Sequence, residues 1–182
     1  PEGARGLLLM HYAMPGRGAV KALSPEGRVL WQVPLRAPLR YSTFLEEGLI
    51  LADEGSVQRI DPRTGQVEWT WESKTRMRSF GLSGPYLLFF SGTPGAEVDQ
   101  RVSALDALRG AEVWTQPFEG IPSSRVFPAG DAVAFITVTP NRVRVFDVET
   151  GRPLSDAVPY SLGLTAQVVH VSTDCRSHMA DR

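Results

Sequence analysis

The chain has 182 residues, 42% of them hydrophobic and 21% charged, with 20 acidic against 19 basic side chains. That size and apolar content fit one folded domain over 1–182 and exclude a disordered chain, and the net charge of -1 argues against bulk electrostatic binding to nucleic acid or an anionic membrane. Cys175 is the only cysteine, so no internal disulfide forms, and no apolar run reaches the roughly 18 to 20 residues of a membrane span.

In chain order, Leu7 to Tyr12 reads as a first strand. It leads into Val20 to Trp31, where a strand end, a turn closed by Gly27 and a second strand follow one another. Tyr41 to Leu45 and Leu49 to Ala52 are the next strands, followed by the same pattern at Val57 to Trp69 around Gly65. Arg78 to Leu82 and Tyr86 to Phe90 precede a third copy at Val102 to Trp114 around Gly110. Arg125 to Phe127 and Ala132 to Val138 precede a fourth at Val143 to Ser155 around Gly151. The last strand is expected at Gln167 to Val171, and nothing reads as a long amphipathic helix.

The four glycines lie 38, 45 and 41 residues apart. Trp31, Trp69 and Trp114 each follow their glycine by four residues, and Ser155 holds that place in the fourth copy. Asp61, Asp106 and Asp147 each precede their glycine by four, whereas the first copy has Ser24 and a turn one residue shorter. The chemistry is that of a hairpin: the aspartate accepts hydrogen bonds from turn amides, and the glycine supplies a positive φ. An indole on the outgoing strand then covers the neighbouring repeat and seals the seam, which makes these tryptophans structural before anything else. With two further strands before each motif, every unit has four antiparallel strands. Such units of about 40 residues are expected to be the blades of an all-β propeller, the competing arrangement being a twisted β-sandwich whose turns are alike by accident.

Ala104-Leu105-Asp106 with Gly110 and Trp114, and Asp61-x-x-Thr64-Gly65-x-x-x-Trp69, resemble the PQQ-like (quinoprotein/BamB-like) propeller repeat, with its Ala-x-Asp-x-x-Thr-Gly-x-x-x-Trp signature. The Gly-His and Trp-Asp pairs of WD blades and the double glycine of kelch blades are missing. The resemblance implies that indoles of consecutive blades dock on the glycine-bearing turn of the neighbour. It also implies one of two functions: a quinone-dependent dehydrogenase, which encloses its cofactor and a divalent metal in about eight blades, or a non-catalytic scaffold. With one cysteine and about four blades, the chain by itself cannot surround the quinone, so the expectation is a scaffold with no cofactor and an extracytoplasmic location.

Leu7 to Tyr12 corresponds to a second blade strand, so the first blade lacks its innermost strand. Gln167 to Val171 falls 16 to 20 residues after Gly151, where an innermost strand belongs. Either that strand completes the first blade and closes a four-bladed ring, or the chain is a segment of a larger propeller. An open ring would favour oligomer formation.

No catalytic motif is present. His11, His170 and His178 are far apart in sequence; Cys175-x-x-His178 offers two of the four ligands of a closed zinc site. His11 and His170 read as core residues, and the pairs Asp53/Glu54, Glu97/Asp99 and Glu46/Glu47 as solvated turn residues. Ser91 to Gln100 is the longest hairpin insertion and a place for a variable binding loop.

Arginine outnumbers lysine 17 to 2, and its placement gives the one site hypothesis. Arg40, Arg78 and Arg125 follow their glycines by 13, 13 and 15 residues, at or just before innermost strands. With Arg36 and Arg76 they would form a positive rim at one mouth of the propeller for a carboxylate, a phosphate or an acidic peptide of a protein partner. Aligning instead on Phe44, Phe80 and Phe127 puts Ser42 opposite Arg78 and Arg125.

Overall fold

The computed structural model describes residues 8–14, 17–93, 99–139, 141–155 and 158–159. These form fifteen strands, and no helix among them is long and apolar enough to cross a membrane. The first sheet holds β1 (Leu8–Met14), β2 (Arg17–Leu23) and β3 (Val29–Leu35). The second holds β4 (Tyr41–Leu45), β5 (Gly48–Ala52), β6 (Ser56–Ile60) and β7 (Val67–Glu72). The third runs β8 (Met77–Ser83), β9 (Tyr86–Ser91), β10 (Gln100–Asp106) and β11 (Ala111–Phe118). The fourth runs β12 (Ile121–Ala129), β13 (Ala132–Thr139), β14 (Asn141–Asp147) and β15 (Val158–Pro159). Each sheet is an antiparallel meander in chain order.

This is the expected propeller arrangement of four-stranded blades, with the first blade showing three strands among the described residues. The C-terminal strand expected at 167–171 to complete it lies outside the described residues, as do His170, Cys175 and His178. Phe44 on the innermost strand of the second blade is 54% exposed.

Burial follows position in the blade. Second strands are sandwiched between two neighbours, so β5 is buried at every residue and β9 at all but Tyr86. The outer strand β3 alternates: Trp31, Val33 and Leu35 are buried while Leu30 and Gln32 are exposed. Three apolar clusters result, one per seam: Val33, Leu35 and Leu51 between blades one and two; Ile50, Leu87 and Phe89 between two and three; Phe118, Phe135 and Phe146 between three and four.

The innermost strand β12 is longer than the expected Arg125 to Phe127. It pairs only with β13, so it is a sheet edge, where Pro122 and Pro128 cost no ladder bond. Both β8 and β12 are bulged: the register breaks between Arg78 and Gly81, with Ser79 at φ 56, and again between Pro122 and Val126.

Candidate partner-docking face

Antiparallel meanders put the Asp-Gly hairpins at one end of every blade. The loops between second and third strands and the links between blades fall at the other end. The hairpin end is built by repetition. Asp61 Oδ1 accepts from the N–H of Arg63 (2.8 Å) and its Oδ2 from the Thr64 hydroxyl (2.9 Å). Asp106 accepts from the N–H groups of Leu108 and Arg109, and Asp147 from the N–H and hydroxyl of Thr150. These donors hold all three carboxyls below the ordinary aspartate range: the Arg63 N–H first for Asp61, the Thr150 hydroxyl first for Asp147. At Asp106 burial pulls the other way and is outweighed by the Arg109 guanidinium and the two amides.

The indoles dock on the next hairpin. Trp31 donates to the Pro62 carbonyl (2.8 Å), Trp69 to that of Leu108 (3.3 Å) and Trp114 to that of Val148 (2.7 Å). A Cβ placed on Gly65, Gly110 or Gly151 would lie 2.6, 2.6 or 2.5 Å from the docked ring. Glycine is therefore required there twice over, for its positive φ of 75, 70 or 67 and for the close approach of the ring. Gly27 has the same backbone at φ 80, but no described atom lies within 4 Å of its would-be Cβ. Ser24 supports this first turn by accepting at its hydroxyl from the N–H groups of Glu26 and Arg28, 3.3 Å each.

At the opposite end the loop Asp53 to Ser56 is the hub. The pair Asp53/Glu54, expected as solvated turn residues, is structural: Asp53 is 1% exposed and accepts from the N–H groups of Gly55 (2.8 Å), Ser56 (2.7 Å) and Ala37 (3.4 Å). The backbone carbonyls of Ala52, Glu54 and Gly55 accept from Arg40, Met77 and Ser73, so one loop ties down the links on both sides of the second blade. An aspartate followed by Gly55 and Ser56 is the sequence signal of such an Asx turn.

Glu54 gathers two of the expected rim residues, since the Arg40 and Arg76 guanidiniums both donate to its Oε1. Arg76 is the larger cause, with Arg40 adding, that holds the Glu54 carboxyl below its ordinary range against partial burial. Arg78 donates to Gln100 Oε1 (2.7 Å) and to the Thr93 carbonyl (3.3 Å), while its Nε is buried without a hydrogen-bond partner among the described residues. Burial, and then the charge of Arg76, lower its pKa. Gln100, 1% exposed, anchors this site and carried no signal in the sequence. Arg36 stands apart, paired with Glu72 at 2.7 Å.

The arginines are not symmetry mates. Arg78 pairs with Phe90, and the matching place in the second blade, opposite Ala52, is held by Tyr41; Arg40 precedes it, and Ser42 follows it opposite Leu51. Arg125 falls in the irregular stretch between Pro122 and Val126, and its side chain lies outside the described residues. Tyr41 follows Gly27 by 14 residues whereas Arg78 follows Gly65 by 13, and Arg125 lies inside the irregular stretch of β12, so equal spacing from the glycine does not mean equal position. What the fold brings together is Arg40 and Arg76 on Glu54, with Arg78 held by Gln100 and close enough to Arg76 for the two charges to interact. No three His, Cys, Asp or Glu side chains among the described residues come together as a metal site.

Residues 8–92 and 98–159, more than half of the chain, match the family model described as outer membrane protein assembly factor BamB. The chain belongs to that family. A computationally designed protein, Ika8, aligns with this BamB-family chain at a TM-score of 0.56 and 13% identity, over 84% of this chain and 49% of its own, a likeness of fold alone. BamB from Moraxella catarrhalis is 18% identical over 82% of this chain and 60% of its own, at a TM-score of 0.42. The chain thus spans about half to three-fifths of the length of these solved structures. No curated protein matches it by sequence.

Proposed function

We propose that this BamB-family propeller is a non-catalytic scaffold, working outside the cytoplasm, that docks an acidic segment of a protein partner on the face formed by its inter-blade links. The observation that carries this reading is the Arg40–Glu54–Arg76 cluster with Arg78 beside it. Glu54 fixes two guanidiniums in place, and its single charge leaves the group positive. Preorganised guanidiniums on a rigid sheet end bind carboxylates with little ordering cost. The sheets hold them still because Asp53 and the hub loop fasten the links by hydrogen bonds on both sides.

The test titrates the chain with a poly-glutamate peptide. Changing Arg76 and Arg78 together to alanine is expected to weaken binding by about tenfold or more, and added salt to weaken the parent similarly. Unchanged affinity at low salt would overturn the docking face. For the non-catalytic part, adding pyrroloquinoline quinone and calcium should leave the absorption spectrum of the quinone unaltered.

A further inference from the structure

The three seams share one register, and this exposes an exception. Gln58, Ser103 and Arg144 occupy the same place on successive blades, opposite Leu51, Phe89 and Phe135. On the facing blades the residues four beyond the docked indoles are Leu35, Ser73 and Phe118. In the first seam Leu35 is buried at 6% exposure and Gln58 carries a buried side-chain oxygen. In the third, Phe118 is buried and Arg144 lies over its ring at 5.6 Å. The middle seam has serine on both sides, Ser73 and Ser103, and there a cleft of about 480 Å3 opens.

Its chemistry is specific. Trp71 forms one wall, its ring 5.6 Å from Phe89, and every other lining residue is polar or charged. It is also the one tryptophan among the described residues whose N–H meets no carbonyl on the next blade. The Ser103 and Thr115 hydroxyls meet at 2.8 Å, with Ser91 beside them. Lys74 and Arg101 line the cleft with no ion pair among the described residues, against the single unpaired Glu112; Glu72 is held by Arg36. An aliphatic side chain would find one aromatic wall and otherwise polar groups. A sugar ring fits better: its C–H face stacks on an indole, its hydroxyls exchange hydrogen bonds with serine and threonine, and a carboxylate on the ring meets the free cations. The volume lies within the range of about 300–1,000 Å3 typical of small-ligand pockets.

We infer that the cleft between the second and third blades is a binding site for an acidic saccharide, a hexuronate unit stacked on Trp71 with its carboxylate toward Arg101 and Lys74. The experiment records the four indole N–H resonances of the whole chain while glucuronate is added at millimolar concentrations. The Trp71 signal, assigned by its loss in Trp71→Phe, is expected to shift while those of Trp31, Trp69 and Trp114 stay still. Arg101→Ala should weaken binding about tenfold, glucose should bind about tenfold more weakly than glucuronate, and Ser73→Leu, which restores the filling seen at Leu35, should abolish the shift. A silent Trp71 in the parent chain would overturn the inference. So would equal binding of glucose and glucuronate, or a shift at Trp71 produced by poly-glutamate and not by the sugar, which would make the cleft part of the docking face.

Discussion

The two ends of the blades are built on different principles. At the hairpin end the same three residue types recur at fixed spacing, and the same contacts recur with them: a carboxylate holding its own turn, a glycine without a side chain, and an indole from the preceding blade donating into the turn at 2.7 to 3.3 Å. At the linker end the side-chain contacts among the described residues differ from blade to blade. Asp53 caps one loop, Glu54 clamps two arginines from different links, and Gln100 holds a third. Seam geometry leaves one solution at the hairpin end, so each blade repeats it. The linker end differs from link to link: Asp53 is committed to holding its loop, and the exposed arginines are the groups that the proposed function assigns to binding. Substitutions at the hairpin end, and at Asp53, should therefore cost stability, and those at the exposed arginines should cost affinity.

The sharpest way to break this contrast is to remove an indole. Trp114 is 7% exposed, stacks on Phe146 at 6.1 Å and donates at 2.7 Å, while Trp69 is only partly buried and donates at 3.3 Å. Trp114→Ala is expected to cost about 3–5 kcal/mol in urea unfolding, and Trp69→Ala distinctly less. If neither substitution lowered stability appreciably, the docked indoles would not carry the seams. Arg76→Ala, by comparison, should leave the unfolding midpoint almost unchanged, because it breaks an exposed ion pair.

A second contrast lies within the hairpin end itself. Gly27 and Gly151 share a left-handed backbone, but only Gly151 has an indole against it. Gly27→Ala should cost about 1–2 kcal/mol for backbone strain alone, and Gly151→Ala about 2–4 kcal/mol because the Trp114 ring must also shift. If the two are equally destabilising, the close approach is irrelevant and only φ selects glycine.

This contrast also explains what could be read from the residues beforehand. Gly65, Asp61 and Trp69 are a local pattern, and a turn, its closing residue and its indole lie within thirteen residues, so the sheet units and the docking partners were legible. The positive rim was legible only in part. Arg40 and Arg76 do meet, but the residue that gathers them, Glu54, looked like a solvated tip, and Gln100, which holds Arg78, gave no signal because the two are 22 residues apart. The expected symmetry of Arg40, Arg78 and Arg125 failed because the link before β8 is one residue shorter than that before β4, and because Arg125 sits in the irregular stretch of β12, neither of which shows in the spacing from the glycine. The cleft at Trp71 was illegible for a related reason: Ser73 and Ser103 are unremarkable until the register sets them beside Leu35, Phe118, Gln58 and Arg144.

The smallest effect should appear in acid. Asp61, Asp106 and Asp147 are each held below the ordinary value of 3.8, so the unfolded chain takes up protons at a higher pH than the folded one does. Their contribution is fully present above that value and is lost as the pH falls through the lower folded values. Asp147→Asn keeps an oxygen for the Thr150 N–H but has no charge to titrate, and the group is mostly solvated, so it should be less stable than the parent at neutral pH by under about 1 kcal/mol. As the pH drops below 3.8 the two unfolding curves should converge. A gap that persists in acid would show that the aspartate acts through its shape and hydrogen bonds and not its charge, and the absence of any gap at neutral pH would leave the glycine and the docked indole to hold the turn.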